Sequence, residues 1–282
     1  MRRKQRRRQS RLHRPPLILW GVLLLMGFVT LLPYAWTLAT SFKRRADILS
    51  TPPTWIKNPS WFNYENMLFG RGFDQYLLNS VIIGVSSTLL ALTVGTLAGY
   101  AFSRFKVPAG NHLFFWILAT RLGPPIAYAL PMYLLFSELD LLNTYLGVSI
   151  AHAAFNLVLV VWMMKTFFDE IPIELEEAAA LDGCTAAQVF RRISLPLAAP
   201  GLVTVAIFVF IFSWNEMLFA LMLSAGDTNT LPMMIPSLIQ HTGTLRGEVA
   251  AAAIVQTIPV IIFTFIAQRH LLRGLTFGAV KG

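Results

Sequence analysis

The most prominent feature of the chain is a series of long apolar stretches that contain almost no charged side chains. Each stretch is long enough to supply the roughly 20 apolar residues that a helix needs to cross the hydrocarbon core of a bilayer. None shows the two-residue alternation that is typical of membrane β-barrel strands. The stretches cover residues 15–42, 75–103, 107–137, 141–164, 193–226 and 249–268. The pattern therefore predicts an all-α membrane protein with six transmembrane helices.

Two of these stretches contain a single charged residue, Arg121 in the third and Glu216 in the fifth. We place the transmembrane domain at residues 17–270, between a basic tail at 1–16 and a C-terminal tail at 271–282. The approximate spans are 17–40, 76–102, 112–136, 144–166, 197–223 and 249–269, with a connecting loop at 169–196.

The composition excludes most other classes of protein. Hydrophobic residues make up 55% of the 282 residues and charged residues 13%, whereas a soluble domain has about 25% charged residues. So few charges do not cover a water-facing surface, and the apolar content rules out a disordered or fibrous chain. The single cysteine, Cys184, excludes both a disulfide framework and a metal site built from two cysteines.

The distribution of Lys and Arg predicts the orientation in the membrane. Eight of these residues lie between Arg2 and Arg14, two follow the second span, three flank the loop after the fourth span, and three lie from Arg269 onwards. Only six lie on the opposite side. Cytoplasmic loops carry the excess of Lys and Arg, so both termini should be cytoplasmic. We interpret the basic N-terminal tail as an orientation signal and, despite the net charge of +9, expect no nucleic-acid partner.

The first span starts after a basic region, as a cleaved signal peptide does. Its apolar part, residues 17–40, is too long for a signal peptide and lacks a small-x-small cleavage pattern before the next charges. We therefore expect the first helix to remain in the mature protein.

The loop between the fourth and fifth spans has helix signals of its own. Pro172 is suited to the first turn of a helix, and three glutamates follow it near the positive end of that helix. Gly183 is a helix stop that tolerates a left-handed conformation. A second helical stretch, residues 186–193, carries Arg191 and Arg192 near its end. The pattern predicts a cytoplasmic helix–turn–helix that serves as a docking element.

This loop resembles the signature loop of the permeases of ABC importers. The family pattern is Glu-Ala-Ala, three residues, Gly, nine residues, and Ile-x-Leu-Pro. The chain has Glu177-Ala178-Ala179, then Gly183, then Ile193-Ser194-Leu195-Pro196, with both spacings kept. Further segments resemble the carbohydrate-uptake branch and its maltose-permease G-type subunits. They are residues 40–43, 131–136, 142–145, 213–216 and 272–282.

The resemblance implies the fold of a type I ABC importer permease, a six-transmembrane-helix bundle with a cytoplasmic coupling helix. It implies a second, related permease subunit, two copies of an ABC ATPase, and an extracytoplasmic solute-binding protein. The expected ATPase-coupling residues are Glu177, Ala178, Ala179, Asp182, Gly183, Arg191, Leu195 and Pro196. The C-terminal tail would also contact the ATPase, through Gly274, Gly278 and Lys281. The setting would be the inner membrane of a prokaryote.

Polar residues inside the spans are candidates for the path of the solute. Arg121 and Glu216 are ionisable groups at membrane depth, which usually face a cavity or a partner, so they could pair with each other or line the path. The other candidates are His152, Asn156, Trp214 and Asn215. Such side chains also commonly form hydrogen bonds between neighbouring helices, and membrane tryptophans commonly pack, so both interpretations stay open. The prolines at 124, 125, 131 and 259 should kink their helices.

The chain contains no motif for catalysis. A Gly-Lys dipeptide is absent, and with it the P-loop of that type, as are His-Glu-x-x-His and Gly-x-Ser-x-Gly. We therefore expect no enzyme activity and no cofactor on this chain, with ATP and Mg on the partner ATPase. Two alternatives remain: a stand-alone secondary carrier or channel, and an ABC permease for a solute that is not a sugar.

Overall fold

The computed structural model describes residues 17–52, 55–56, 58–240 and 243–278. It is predominantly helical, as predicted. The helices of the first half are α1 Leu17–Ser41, α2 Arg45–Ile48, α3 Phe62–Gly70, α4 Phe73–Arg104, α5 Gly110–Thr120 and α6 Pro125–Glu138. Those of the second half are α7 Tyr145–Asp169, α8 Ile173–Leu181, α9 Ala186–Val189, α10 Leu195–Trp214, α11 Leu218–Leu223, α12 Leu231–Ser237 and α13 Arg246–Gly278.

One turn of π-helix, Phe190–Ser194, joins α9 to α10, and one turn of 3₁₀-helix covers Gly226–Thr228. The described residues also include two short antiparallel strands, β1 Ile239–Gln240 and β2 Gly243–Thr244. This short pairing is the only departure from an all-helical chain in the part that the structure describes. The N-terminal tail at 1–16 lies outside the described residues.

The apolar helices number five, or six if one strongly bent pair counts as a single span within the described residues. That pair is α5 and α6, which meet at 95°. The span predicted at 112–136, with a kink expected at Pro124 and Pro125, consists of two helices. The reason lies in Pro124, which is extended at ψ 130°, and in Pro125, which starts the next helix. A residue before proline avoids the helical region, so the chain turns there.

The fifth predicted span, 197–223, is also divided. Helix α10 ends at Trp214 and α11 begins at Leu218. Between them the Glu216 carboxylate accepts hydrogen bonds at 2.9–3.2 Å from the backbone N–H groups of Leu218, Phe219 and Ala220. A carboxylate at the start of a helix satisfies N–H groups that have no partner within the helix. The charge that interrupts the apolar stretch is thus the residue that starts the new helix.

Helices α4, α7 and α10 form the centre of the bundle, and small residues let them approach closely. A Cβ added to Gly95 of α4 would lie 2.6 Å from Val160 of α7, and one added to Gly99 would lie 2.9 Å from the backbone nitrogen of Lys165. A Cβ at Gly201 of α10 would lie 2.5 Å from the Phe167 ring of α7. Van der Waals packing of this kind holds membrane helices together where no water is present.

Helix α1 differs from this central group. It packs mainly against α13, and none of the side chains in its most apolar stretch is buried within the chain. An apolar helix exposed on most of its surface requires lipid or another apolar protein surface around it.

Candidate functional site

The loop after α7 folds as the helix–turn–helix that the sequence predicts. Helix α8 ends in a left-handed residue, Gly183, at φ +86°. The N–H of Gly183 donates to the Ala180 carbonyl and that of Cys184 to the Ala179 carbonyl, both at 3.0 Å. This pair of bonds closes the helix end as a Schellman motif, which favours glycine at the left-handed position. The Thr185 and Gln188 side chains then cap the start of α9.

The outer side of this element is apolar and exposed. Leu181 is 89% exposed, Ile173 49% and Leu175 47%, and Glu177 and Ala178 are exposed beside them. We call these five residues the coupling surface. Exposed leucine and isoleucine side chains next to charged ones, on a structured element, are typical of a site of protein–protein interaction.

The inner side of the element is held by a buried carboxylate. Glu176 Oε1 accepts hydrogen bonds from Arg104 Nε and from Ser194 Oγ, both at 2.9 Å, and Oε2 accepts one from the Tyr100 hydroxyl at 3.1 Å. The side chains of Glu176 and Arg104 are each 9% exposed. We call this group of four residues the Glu176 joint. Its members come from α4, α8 and the turn that leads into α10.

Arg104 extends the joint to a further helix. One of its terminal nitrogens donates to the backbone carbonyls of Phe168, at 2.7 Å, and Ile171, at 2.9 Å, around the end of α7. The guanidinium group therefore satisfies the carboxylate and two carbonyls together, which is the condition for a stable buried ion pair. We call the helix–turn–helix of α8 and α9 the coupling element. Arg104 and Glu176 together connect it to the end of α4, the end of α7 and the start of α10.

The structure distributes the predicted coupling residues over both sides of the element. Glu177, Ala178, Asp182, Gly183, Arg191 and Pro196 are exposed, Leu195 is half-buried and Ala179 is buried. Sequence reasoning missed Arg104, Tyr100 and Ser194, and it assigned Glu176 only a helix-stabilising role. The sequence carries no signal for this role, because the alanine buried on the same face as Glu176, Ala179, lies in a run of three alanines.

A second polar cluster lies at the level of the break between α10 and α11. His152 is 1% exposed, its Nδ1 lies 2.8 Å from Ser213 Oγ, and its Nε2 lies 3.1 Å from Glu216 Oε2. Ser213 Oγ lies 2.8 Å from Ser87 Oγ. We call these four residues the His152 cluster. It connects α4, α7 and α10 around the carboxylate that starts α11.

Arg121 does not pair with Glu216, which corrects one of the expectations for these residues. Its guanidinium carbon lies 4.2 Å from the centre of the Phe155 ring, and it donates to the Phe155 carbonyl. Asn215 is exposed and donates to the Ile211 carbonyl at 2.8 Å.

Two other pathway candidates are buried among the helices. Trp214 is 2% exposed, stacks on Phe210, and donates its indole N–H to the Gln256 carbonyl at 3.1 Å. Asn156 is also 2% exposed, and its Oδ1 has no hydrogen-bond partner among the described residues. The position of Trp214 is that of a packing residue between α10 and α13.

The predicted C-terminal contacts fall at the edge of the described chain. Gly274 and Gly278 belong to the last turns of α13, and Lys281 lies outside the described residues. Within those residues, no group of three or more His, Cys, Asp or Glu side chains is arranged to hold a metal ion.

Comparisons with known proteins agree with this geometry. Residues 91–277 match the family described as "Binding-protein-dependent transport system inner membrane component". The chain is 38% identical to the trehalose transport system permease protein SugB of Mycobacterium tuberculosis, over 93% of this chain and 97% of that protein. It is 32% identical to the trehalose/maltose transport system permease protein MalG of Thermococcus litoralis, over 92% and 94%.

Among solved structures, the fold resembles a chain of a bacterial ABC transporter involved in the import of the acidic polysaccharide alginate. The TM-score is 0.75 at 24% sequence identity, over 92% of this chain and 98% of that chain. At this identity the likeness establishes the fold of an ABC importer permease.

Proposed function

The chain belongs to the family of binding-protein-dependent transport system inner membrane components, and we propose that it forms part of the membrane path for a sugar or sugar-like solute. The observation that carries the proposal is the coupling element, which exposes an apolar surface on one side and is fixed by Glu176 on the other. The choice of a sugar is supported by the relatives, which are permease proteins for trehalose and for trehalose or maltose.

The proposed mechanism is alternating access driven by a separate ATPase. Two copies of an ABC ATPase would bind ATP and Mg, and one copy would seat the coupling surface of α8 in a cleft. When the ATPases close, the movement of α8 would pass through the Glu176 joint to the ends of α4 and α7 and to the start of α10. A buried ion pair transmits such a movement because separating its partners leaves uncompensated charge, at a cost of about 3–5 kcal/mol.

We propose a second, related permease as the partner in the membrane. Helix α1 supports this proposal, since its most apolar stretch has no buried side chain within the chain. A solute-binding protein would deliver the solute at the opposite membrane surface. The C-terminal tail, with Gly274, Gly278 and Lys281, would provide a further contact to the ATPases.

The proposed orientation has both termini in the cytoplasm of a prokaryotic cell, with the chain in its inner membrane. The excess of Lys and Arg on the side of the coupling element supports this orientation. The coupling element must also face the compartment that contains ATP.

For the solute path we propose the residues that keep an accessible surface near the helix breaks, namely Arg121, Asn215 and Glu216. Guanidinium, amide and carboxylate groups all form hydrogen bonds with sugar hydroxyls. His152 and Asn156 would position the residues that line the path without contacting the solute, because both are nearly fully buried. Trp214 would act through packing.

The test is to purify the chain from its native membrane in mild detergent and to identify the proteins that accompany it. We expect a second permease and an ABC ATPase, and ATP-dependent uptake of a disaccharide into proteoliposomes when the binding protein is present. Solute transport by the purified chain alone, without ATP, would instead establish a stand-alone carrier. ATP-driven uptake of amino acids or phosphate with no uptake of sugars would retain the importer and overturn the sugar.

A further inference from the structure

A separate cavity of about 450 Å³ opens at the same membrane end as the coupling element. It lies where the chain passes from α4 into α5, beside the last turns of α7. Its walls include three aromatic and three basic side chains. These are Phe102, Phe105, Phe114, Lys106, His112 and Lys165.

On the basic side of the cavity, the positive charge of one lysine side chain has no carboxylate partner among the described residues. Lys165 Nζ lies 2.6 Å from Asp169, and the other oxygen of that carboxylate accepts a hydrogen bond from Ser103. Lys106 and His112 are exposed, and neither forms an ion pair with any described residue. The nearby Arg104 is occupied by Glu176. After these pairs are counted, Lys106 leaves the cavity with a net positive charge.

The other side of the cavity is apolar. The rings of Phe102 and Phe114 lie 5.5 Å apart and form one wall, and Phe105 is 55% exposed at the edge. Helix α5 has exposed apolar side chains immediately after the cavity, Phe115 and Trp116, which face the surroundings of the bundle. A basic cavity next to an apolar, lipid-facing helix fits a ligand that has an anionic head and an apolar body.

We propose that this cavity binds the headgroup of an anionic phospholipid from the cytoplasmic leaflet. The assignment to that leaflet rests on the proposed function, which places the coupling element in the cytoplasm. Basic pockets between helices on the cytoplasmic side attract anionic lipid headgroups. The lipid phosphate would lie between Lys106 and Lys165, and its acyl chains would lie along the aromatic wall.

The cavity is connected to the coupling element through α7. Lys165 and Asp169 lie in the last turn of that helix, immediately before Pro172 and α8. A phosphate at Lys165 would compete with Asp169 for the ammonium group and alter the end of the helix that Arg104 holds. A lipid bound here would therefore act on the helix that leads into α8.

The experiment measures lipid retained by the complex that is purified from its membrane through a tag on this chain. Native mass spectrometry would count phosphatidylglycerol on the wild type, on the double variant Lys106→Gln/His112→Gln, and on a control, Arg44→Gln. Arg44 is an exposed basic residue at the opposite membrane surface. One basic charge at a membrane surface corresponds to roughly a fivefold change in affinity for anionic lipid.

We expect the double variant to retain at most about one fifth of the phosphatidylglycerol that the wild type retains. The Arg44→Gln control should retain as much as the wild type. Equal retention by all three proteins would overturn the proposal. If inorganic phosphate or soluble glycerophosphate displaced the lipid as readily as an intact phospholipid does, the cavity would be a general anion site. That result would also overturn the proposal.

These outcomes are separate from those of the proposed function. The lipid count is taken on the same sample in which the accompanying proteins are identified. A chain that purifies without an ATPase but loses lipid in the double variant would overturn the importer and leave the lipid site in place.

Discussion

The Glu176 joint and the His152 cluster use similar chemistry at two levels of the same bundle. Each has one glutamate next to one basic side chain, and each includes serine, Ser194 in the joint and Ser87 and Ser213 in the cluster. In the Glu176 joint both carboxylate oxygens accept hydrogen bonds from other helices. In the His152 cluster the carboxylate is shared with the start of α11, and His152 Nε2, although close, forms no well-aligned hydrogen bond among the described residues.

The difference indicates which part of the molecule stays rigid and which part moves. A fully satisfied buried network holds one arrangement, whereas a partly satisfied one is the place where an alternative arrangement costs least. The joint holds the coupling element against three helices. The cluster lies where α10 breaks, and Asn156 Oδ1, in the same membrane helix as His152, is also unpartnered within the described chain. Movement of α8 that passes through the rigid joint would then be taken up at the break.

The largest effect is expected from Glu176→Ala, which removes the acceptor for three donors and leaves Arg104 buried without its counter-charge. Breaking a buried pair in this way costs about 3–5 kcal/mol. We expect much less folded protein in the membrane and a large drop in detergent-solubilised thermal stability. Thermal unfolding of the purified protein measures this effect.

The matched control is Glu177→Ala, one position along the same helix and exposed. Surface changes away from special contacts usually stay within about 0.5 kcal/mol, so stability should be unchanged. Uptake should nevertheless fall strongly, and Glu177→Lys should abolish it while the protein remains in the membrane. Equal stability of the variants at 176 and 177 would remove the distinction between the joint and the coupling surface.

Gly183→Val should affect coupling more than folding. A Cβ at this position would have no atom within 4 Å, but the φ of +86° is unfavourable for a β-branched residue, at a cost of about 1–3 kcal/mol. We expect a displaced α8, a protein that still inserts, and loss of uptake. Gly183→Asn is the control, because asparagine tolerates the left-handed conformation and should retain most of the uptake.

Gly95→Ala tests how closely α4 packs against α7 between the His152 cluster and the Glu176 joint. Its Cβ would lie 2.6 Å from Val160, and overpacking a close contact costs about 1–3 kcal/mol. Gly21→Ala in α1 is the control, since nothing lies within 4 Å of the added carbon. The melting temperature should fall for the first variant only. A fall of the same size for both would mean that α4 and α7 are less closely packed than described.

The smallest effect on stability is expected at the break. Glu216→Ala removes the acceptor for three backbone N–H groups at the start of α11, and the loss of a helix cap costs about 0.5–2 kcal/mol. Uptake should fall more than stability, because the same change removes a residue of the proposed solute path. Glu216→Gln should recover stability through its side-chain oxygen. Uptake at the wild-type rate in both variants would exclude Glu216 from the path.

The sequence was sufficient for the membrane class, the family fold and the helix–turn–helix, because these depend on local signals. Apolar length, the Pro172 start and the Gly183 stop are each visible within a few residues. The 95° bend at Pro124 and Pro125 was expected only as a kink, because the angle depends on the distant helices that α5 and α6 pack against, α7 and α11. The joint was not predictable, since Arg104 and Glu176 lie 72 residues apart and no local sequence pattern indicates that the two segments are in contact.

The central claim is that the exposed side of α8 docks on an ATPase. Site-directed cross-linking tests it most directly, with Leu181→Cys in a Cys184→Ser background so that the new thiol is the only one in the chain. Leu49→Cys, exposed at the opposite membrane surface, serves as the control. We predict a cross-link from position 181 to the ATPase subunit, changed by ATP, and none from position 49. The claim would be contradicted if position 181 formed no cross-link to an ATPase in the intact complex. It would also be contradicted if positions 181 and 49 formed such cross-links equally often.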